Sequence, residues 1–277
     1  GIRDIAGWLD QVLPANQWYP AFRFAIESAL YGLFSDTPGR DNANPERRIH
    51  VNTLIMETGP DVKSSLSKAL SQGYRAVKLK VGRAPLDSEI STVRWVQEYI
   101  AGKATLRLDA NRAWDMTSAV RFLSSVKVEQ IEYIEEPLRD PAELTELHSR
   151  TGVALALDES LAENDPQALQ LPGGTAAFIL KPAVIGSLAK CEQLIKIANA
   201  QRITVVISDT FQSGVGLSFL IDLAASLGSD TPMGFDTYRQ IKTDILRERL
   251  QICNGAFSLA DVIRKSRQVD MARLEKI

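Results

Sequence analysis

The sequence predicts an α/β protein built as a (β/α)8-type barrel, of the TIM-like or (β/α)7β kind, behind a truncated N-terminal capping segment. Three observations carry that prediction. From residue 49 onward, short apolar β-branched runs alternate with longer amphipathic segments. Those runs number eight, as a closed parallel barrel requires. A chain of 277 residues is long for one ordinary domain but normal for one barrel. An open doubly wound sheet is the competing arrangement. It calls for a glycine-rich first turn of the form GxGxxG, which is absent, and the pair Gly214 and Gly216 stands late in the chain.

The first strand is expected around residues 49–57, and the second is AVKLKVG at 76–82. Then follow TLRLDAN at 105–111, YIEEPL at 133–138, ALALDES at 154–160, AFILKPA at 177–183, TVVISDT at 204–210 and MGFDTY at 233–238. The helices between them are well punctuated. Asp61 opens one that Gly73 closes. Asp140, with Pro141 behind it and Glu143 at the third position, opens another that ends at Gly152. Ser187 opens a third, and residues 214–228 are apolar enough for a helix packed on two sides.

Residues 1–48 differ from the rest. An aromatic-rich helix over 16–34 follows a short helical piece around 5–13, and neither resembles a barrel unit. They read as the remnant of a helical N-terminal domain, with 49–240 as the barrel and 241–277 as a C-terminal segment returning to the cap side. The chain begins at Gly1, as a trimmed or fragmentary chain would.

Composition narrows the function classes. Net charge is −2 and no long basic run is present, which argues against nucleic acid as a partner. Charges interrupt every apolar stretch before ~18 residues, so no membrane span is expected. Cys191 and Cys253 fit a reducing, cytoplasmic setting and show no metal-ligand spacing. The two histidines, His50 and His148, stand alone, which disfavours a histidine triad or zinc site. The oligomeric state is not legible.

The chemistry is carried by the strand ends. Strand two carries Lys78 and Lys80, and strand three ends in Asp109 and Asn111. Strand four ends in Glu135 and Glu136, strand five in Asp158 and Glu159, strand six in Lys181 and strand seven in Ser208 and Asp209. In a barrel these ends converge on the mouth where active sites sit. Each residue alone reads as a cap or a turn, but five successive strands ending in lysine or acid is a pattern.

Three acids on adjacent strands repel by about 4 kcal/mol per pair at ~4 Å and an effective dielectric of ~20. A divalent cation removes that repulsion, and an all-oxygen set favours Mg²⁺ or Mn²⁺ over zinc. The candidate ligands are Asp109, one of Glu135 and Glu136, and one of Asp158 and Glu159. Deprotonating an ordinary lysine at pH 7 costs roughly 4.6 kcal/mol. A second ammonium two residues away on the same strand face, together with partial burial, lowers that cost. Lys80 beside Lys78 is therefore a candidate base. The alternative is that the lysines pair with the acids as structural ion pairs.

Taken together, KLK, LDAN, EEP, DES and KP on strands two to six resemble the enolase superfamily, in its muconate-lactonizing subgroup. The resemblance spans roughly residues 16–240. It implies Asp109, Glu135 and Asp158 as Mg²⁺ ligands, Lys80 as the acid/base and Lys181 as the opposing lysine. Enolase-superfamily sites join a lysine or histidine base to Mg²⁺ that stabilises an ene-diolate. The wording of LRLDANRAW, IEYIEEPL and TPMGFDTY is most similar to the o-succinylbenzoate synthase family. That implies a small carboxylate substrate and dehydration of a cyclohexadiene carboxylate on the route to menaquinone or phylloquinone.

In this reading Lys78 and Asn111 are substrate-binding candidates. The loop after strand seven, SDTFQSGVG, has small residues and is expected to offer free backbone N–H groups to a distal carboxylate, through Ser208, Ser213 and Gly214. A racemase or dipeptide epimerase is the alternative within the superfamily, and a degenerate barrel acting as a binding protein is the alternative outside enzymes. Dipeptide epimerases tend to carry an acidic pair on strand eight, where this chain has only Asp236. About 48 residues precede strand one, too few for the superfamily's usual cap.

Overall fold

A computed structural model describes residues 7–9, 11–12, 18–34, 46–59 and 61–274. Of the piece around 5–13, residues 7–9 and 11–12 are helical and the rest lies outside the described residues. Helix α1 runs Pro20–Phe34, inside the span predicted for it.

The sheet is parallel and has seven strands in sequential order. They are β2 (Thr53–Ile55), β3 (Ala76–Lys80), β4 (Thr105–Asp109), β5 (Ile131–Glu135), β6 (Leu155–Leu157), β7 (Thr175–Leu180) and β8 (Thr204–Ile207). Each is nearly continuous in burial, as parallel strands covered on both faces are. Between them run α2 (Asp61–Ser71), α3 (Leu86–Ile100), α4 (Met116–Leu123), α5 (Leu144–Thr151), α6 (Glu159–Glu163), α7 (Pro182–Ile185) and α8 (Leu188–Ala200). After β8 come α9 (Gly214–Ser226) and, near the C-terminus, α10 (Leu259–Ser266). This is an α/β barrel of the TIM-like class.

Two predicted strands differ from what is observed. The first is broken into β1 (Arg48–His50) and β2, with β1 paired antiparallel to β9 (Ala256–Ser258) instead of joining the main sheet. The eighth shrinks to two parallel bridges, Met233 to Val51 and Gly234 to Ser208, before a 3₁₀ turn at Asp236–Gln240. A Cβ at Gly234 would stand 2.5 Å from Ser208 Oγ, so this segment runs unusually close to its neighbour. The bridged partners are Val51, two residues before β2, and Ser208, the residue after β8.

Local sequence explains the helix boundaries. Asp115 accepts from Ser118 N at 2.8 Å and opens α4. Asp140 accepts from Ala142 N at 2.9 Å, but the predicted helix begins as a 3₁₀ turn, Pro141–Glu143, before α5. Gly152 closes α5 in the left-handed region, φ 72°.

The chain divides into two compact units. One comprises residues 1–51, 180–197 and 206–277. It holds α1, the β1–β9 pair, α7, α9 and α10. The other comprises 52–179 and 198–205 and holds β2 to β6 with α2 to α6.

Candidate active site

Within the second unit, the C-terminal ends of β3, β4 and β5 lie in one row. Lys80 is the register partner of Asp109, and Asp109 of Glu135. Parallel register puts their side chains on one face, and Lys78 stands two residues back on the same face. Lys78 Nζ lies 2.5 Å from Glu135 Oε2 and 2.7 Å from Asp109 Oδ2. Lys80 Nζ lies 2.7 Å from the same Asp109 oxygen and also donates to Asn111 Oδ1. Asp158, after β6, is buried and acts electrostatically on both Lys78 and Glu135.

The acids are almost fully enclosed: Asp109 and Glu135 are 1% exposed and Asp158 5%. Burial raises the pKa of Glu135, Asp109 and Asp158 raise it further, and the Lys78 ammonium pulls the other way; the result is about 8. Burial also raises the pKa of Asp109, but Lys78 and then Lys80 outweigh it and hold this carboxyl well below the usual range. At Lys78, burial lowers the pKa while Glu135, Asp109 and Asp158 raise it, and the raising wins by a wide margin.

That last result corrects an expectation. Two lysines at i and i+2 were expected to loosen one another's protons. For Lys78 the opposite holds, because two carboxylates stand within ion-pair distance of its ammonium.

The structure also separates the ambiguous acid pairs. Glu135 faces Lys78, whereas Glu136 turns away and is filled by other donors: the N–H groups of Asp158 and Ser160, the Ser160 hydroxyl and Arg112. Asp158 is buried and acts electrostatically on Lys78 and Glu135, whereas Glu159 accepts from Asn111 Nδ2 at 2.9 Å. Asn111 is thereby tied to both Lys80 and Glu159.

The donor set suits a hard divalent cation. Three buried carboxylates converge beside Lys78 and Lys80, and the ligand atoms they offer would all be oxygen. With the Lys78 ammonium between Asp109 and Glu135, no three His, Cys, Asp or Glu side chains among the described residues are arranged around one ion.

The remaining candidates belong to the first unit. Lys181 follows β7 and caps α7, its carbonyl accepting from Val184 N and Ile185 N. Ser208 is 7% exposed and donates to Gly234 O at 3.2 Å. Ser213 is the N-cap residue of α9 but makes no side-chain cap bond. At Gly214 the expectation of a free N–H fails. It donates to Asp244 Oδ1 at 2.8 Å, and that buried carboxylate also receives the Tyr238 hydroxyl. A carboxylate at a helix N-terminus is a favourable arrangement, so Asp244 is the residue satisfying this helix start. No local signal joins positions thirty residues apart.

Two other polar residues escaped sequence reasoning. Glu89, on α3, accepts from the N–H groups of Gly82, Arg83 and Ala84 at 2.9, 2.8 and 3.1 Å, pinning the loop that follows Lys80. Arg107, two residues before Asp109, is fully buried, pairs with Glu132 at 2.8 Å and bonds Asn52 at 3.1 Å.

Acids and lysines gathered on the carboxyl ends of parallel strands define a class: an α/β barrel with a carboxylate–lysine site. More particularly, the chain belongs to the family described as enolase C-terminal domain-like, whose model matches residues 61–263. The o-succinylbenzoate synthase of Yersinia pseudotuberculosis serotype IB (strain PB1/+) is 36% identical over 191 residues, 68% of this chain and 58% of the relative. Its counterpart from Yersinia pestis (strain Pestoides F) matches to the same extent. Among solved structures, MenC from Desulfotalea psychrophila LSv54 superposes with a TM-score of 0.78 at 26% identity, over 93% of this chain and 74% of that one. The dipeptide epimerase from Enterococcus faecalis V583 gives 0.79 at 21% identity, over 94% and 77%, a likeness of fold alone. The chain spans 58% of the length of the curated relatives it matches.

Proposed function

We propose that the chain is an o-succinylbenzoate synthase-like lyase dependent on Mg²⁺, with Mn²⁺ as a substitute. It would dehydrate 2-succinyl-6-hydroxy-2,4-cyclohexadiene-1-carboxylate to o-succinylbenzoate by removing the proton α to the ring carboxylate. The observation that carries the reading is the row Lys80, Asp109 and Glu135 with Lys78 and Asp158 beside it. The 36% identity to o-succinylbenzoate synthases of Yersinia supports the choice of reaction.

Asp109, Glu135 and Asp158 would hold the cation. When bound, it supplies positive charge against the negative charge that develops on the substrate carboxylate. Lys78 stands between Asp109 and Glu135, so a cation held by these acids would compete with its two ion pairs. Its ammonium, held protonated by the acids around it, is then available to a carboxylate substrate. Lys80, after its ammonium has given up one proton to solvent, takes the ring proton at Nζ and returns it to the departing hydroxyl, which leaves as water. Asn111, bonded to Lys80, fixes where that Nζ points. Lys181 serves as an electrostatic partner and not as a second base.

Ser208 and Ser213 remain proposed contacts for the distal carboxylate. Gly214 is withdrawn as an N–H donor because Asp244 already takes that hydrogen bond. The reading assigns residues 1–48 to a capping segment. A cytoplasmic place of action goes with it, supported by two free cysteines.

The dipeptide epimerase reading is weakened by Asp236. That carboxylate is buried and paired with Arg239 at 2.6 Å, so a substrate ammonium would have to displace a guanidinium. The test is to offer the purified chain the cyclohexadiene and, separately, an N-acylamino acid in D₂O. Dehydration of the first without exchange into the second is expected. Metal-dependent exchange without dehydration would move the reading to a racemase.

A further inference from the structure

Glu136, the second acid of the EEP motif, has no role in the reaction as described, yet its buried carboxylate accepts four hydrogen bonds. It is 0% exposed and its backbone is left-handed, φ 37°. A long side chain keeps that conformation only where the surroundings over-determine it. Its Oε1 accepts from the N–H groups of Asp158 at 3.1 Å and Ser160 at 3.0 Å. Its Oε2 accepts from the Ser160 hydroxyl at 3.2 Å and Arg112 Nε at 3.1 Å.

Arg112 is left-handed too, φ 57°, and its N–H donates to Glu136 O at 2.6 Å. Its guanidinium continues to Ser160 Oγ and to both Glu163 oxygens. One carboxylate thus gathers four donors and joins the segments that leave β4, β5 and β6. Those are the strands whose ends carry Asp109, Glu135 and Asp158.

We propose that Glu136 is a positioning residue for this carboxylate triad. It holds the Asp158 N–H, and through it fixes the turn that carries the buried Asp158 carboxylate, whose charge acts on Lys78 and Glu135. The proposal deepens the metal-dependent reading and rests on it for the meaning of the triad. Residues that orient metal ligands typically alter metal affinity by roughly 10–100-fold when removed.

Two variants and two readouts test it. Glu136→Gln keeps an acceptor oxygen for the Asp158 and Ser160 N–H groups but loses the charge facing Arg112. Glu136→Ala loses both. Mn²⁺ titration followed by electron paramagnetic resonance reads the triad without any turnover. Glu136→Ala is expected to weaken Mn²⁺ binding roughly 10–100-fold, and Glu136→Gln to recover it to within about threefold of wild type.

Hydrogen exchange of the metal-free protein supplies the second readout. Residues 155–163 are expected to exchange at least about tenfold faster in Glu136→Ala, with 105–109 unchanged. Wild-type Mn²⁺ affinity in Glu136→Ala, or wild-type exchange over 155–163, overturns the proposal. If Glu136→Ala does not fold, Glu136→Gln decides, and an affinity loss of tenfold or more there contradicts the acceptor role. Absence of Mn²⁺ binding in the wild-type chain refutes the metal reading instead, and exchange alone then decides whether Glu136 holds the turn.

Discussion

Lys78 and Lys80 lie two residues apart on one strand, and the structure gives them different surroundings. Lys78 is enclosed by Glu135 and Asp109, while Lys80 meets Asp109 and Asn111 at the edge of the same cluster. The account therefore separates their substitutions. Lys80→Ala should lower kcat by about 10²–10⁴-fold, as loss of a general acid–base does, with Mg²⁺ bound at least as well as by the wild type, since Lys80 also pairs with Asp109; calorimetry and a turnover assay on one preparation check both. Lys78→Ala should also lower kcat, but it should strengthen Mg²⁺ binding in the absence of substrate, because the ammonium between two ligands is gone. Weaker Mg²⁺ binding in Lys78→Ala would contradict that placement. At this scale the sequence showed which residue types would meet, since a two-residue period on parallel strands is readable. Strand alternation alone left the acids of EE and DE unresolved, and it was the resemblance that implied Glu135 and Asp158. The backbone at Glu136 is left-handed, which no residue type there announces.

Among the elements, the loop leaving β3 illustrates how Lys80 is held. Glu89 in the first turn of α3 gathers three successive N–H groups from Gly82, Arg83 and Ala84. Gly82 sits at φ 78°, and a Cβ there would come within 2.3 Å of Ala113 Cβ. Gly82→Ala should destabilise the chain by about 1–3 kcal/mol, from backbone strain and the forced shift of Ala113. Urea denaturation measures this, and an unchanged midpoint would refute the tight approach. The parallel strands between 76 and 207 were legible because their burial is continuous and the caps between them are ordinary. The ends of the barrel were not. The first predicted strand divides between two sheets and the eighth survives as two bridges, pairings made with partners distant in sequence, Ser258 for Arg48 and Val51 for Met233. Asp244 closing the start of α9 was invisible for a related reason, since its partner Gly214 is distant in sequence.

Across the whole molecule, length, alternation and net charge were enough to reach the barrel class and to argue against nucleic acid as a partner. No helix among the described residues is long and apolar enough to cross a membrane. Which residues form compact units was not readable, because residues 1–51 and 206–277 gather with 180–197 from opposite ends of the sequence. The central claim is that the acid–lysine cluster in residues 52–179 performs metal-dependent dehydration. The most direct measurement follows formation of o-succinylbenzoate from the cyclohexadiene by the purified chain, first with Mg²⁺ and then with a chelator. The account predicts product with Mg²⁺, loss of turnover with the chelator and recovery when Mg²⁺ or Mn²⁺ is returned. Turnover that is indifferent to the chelator, or no product at any metal concentration, would contradict it.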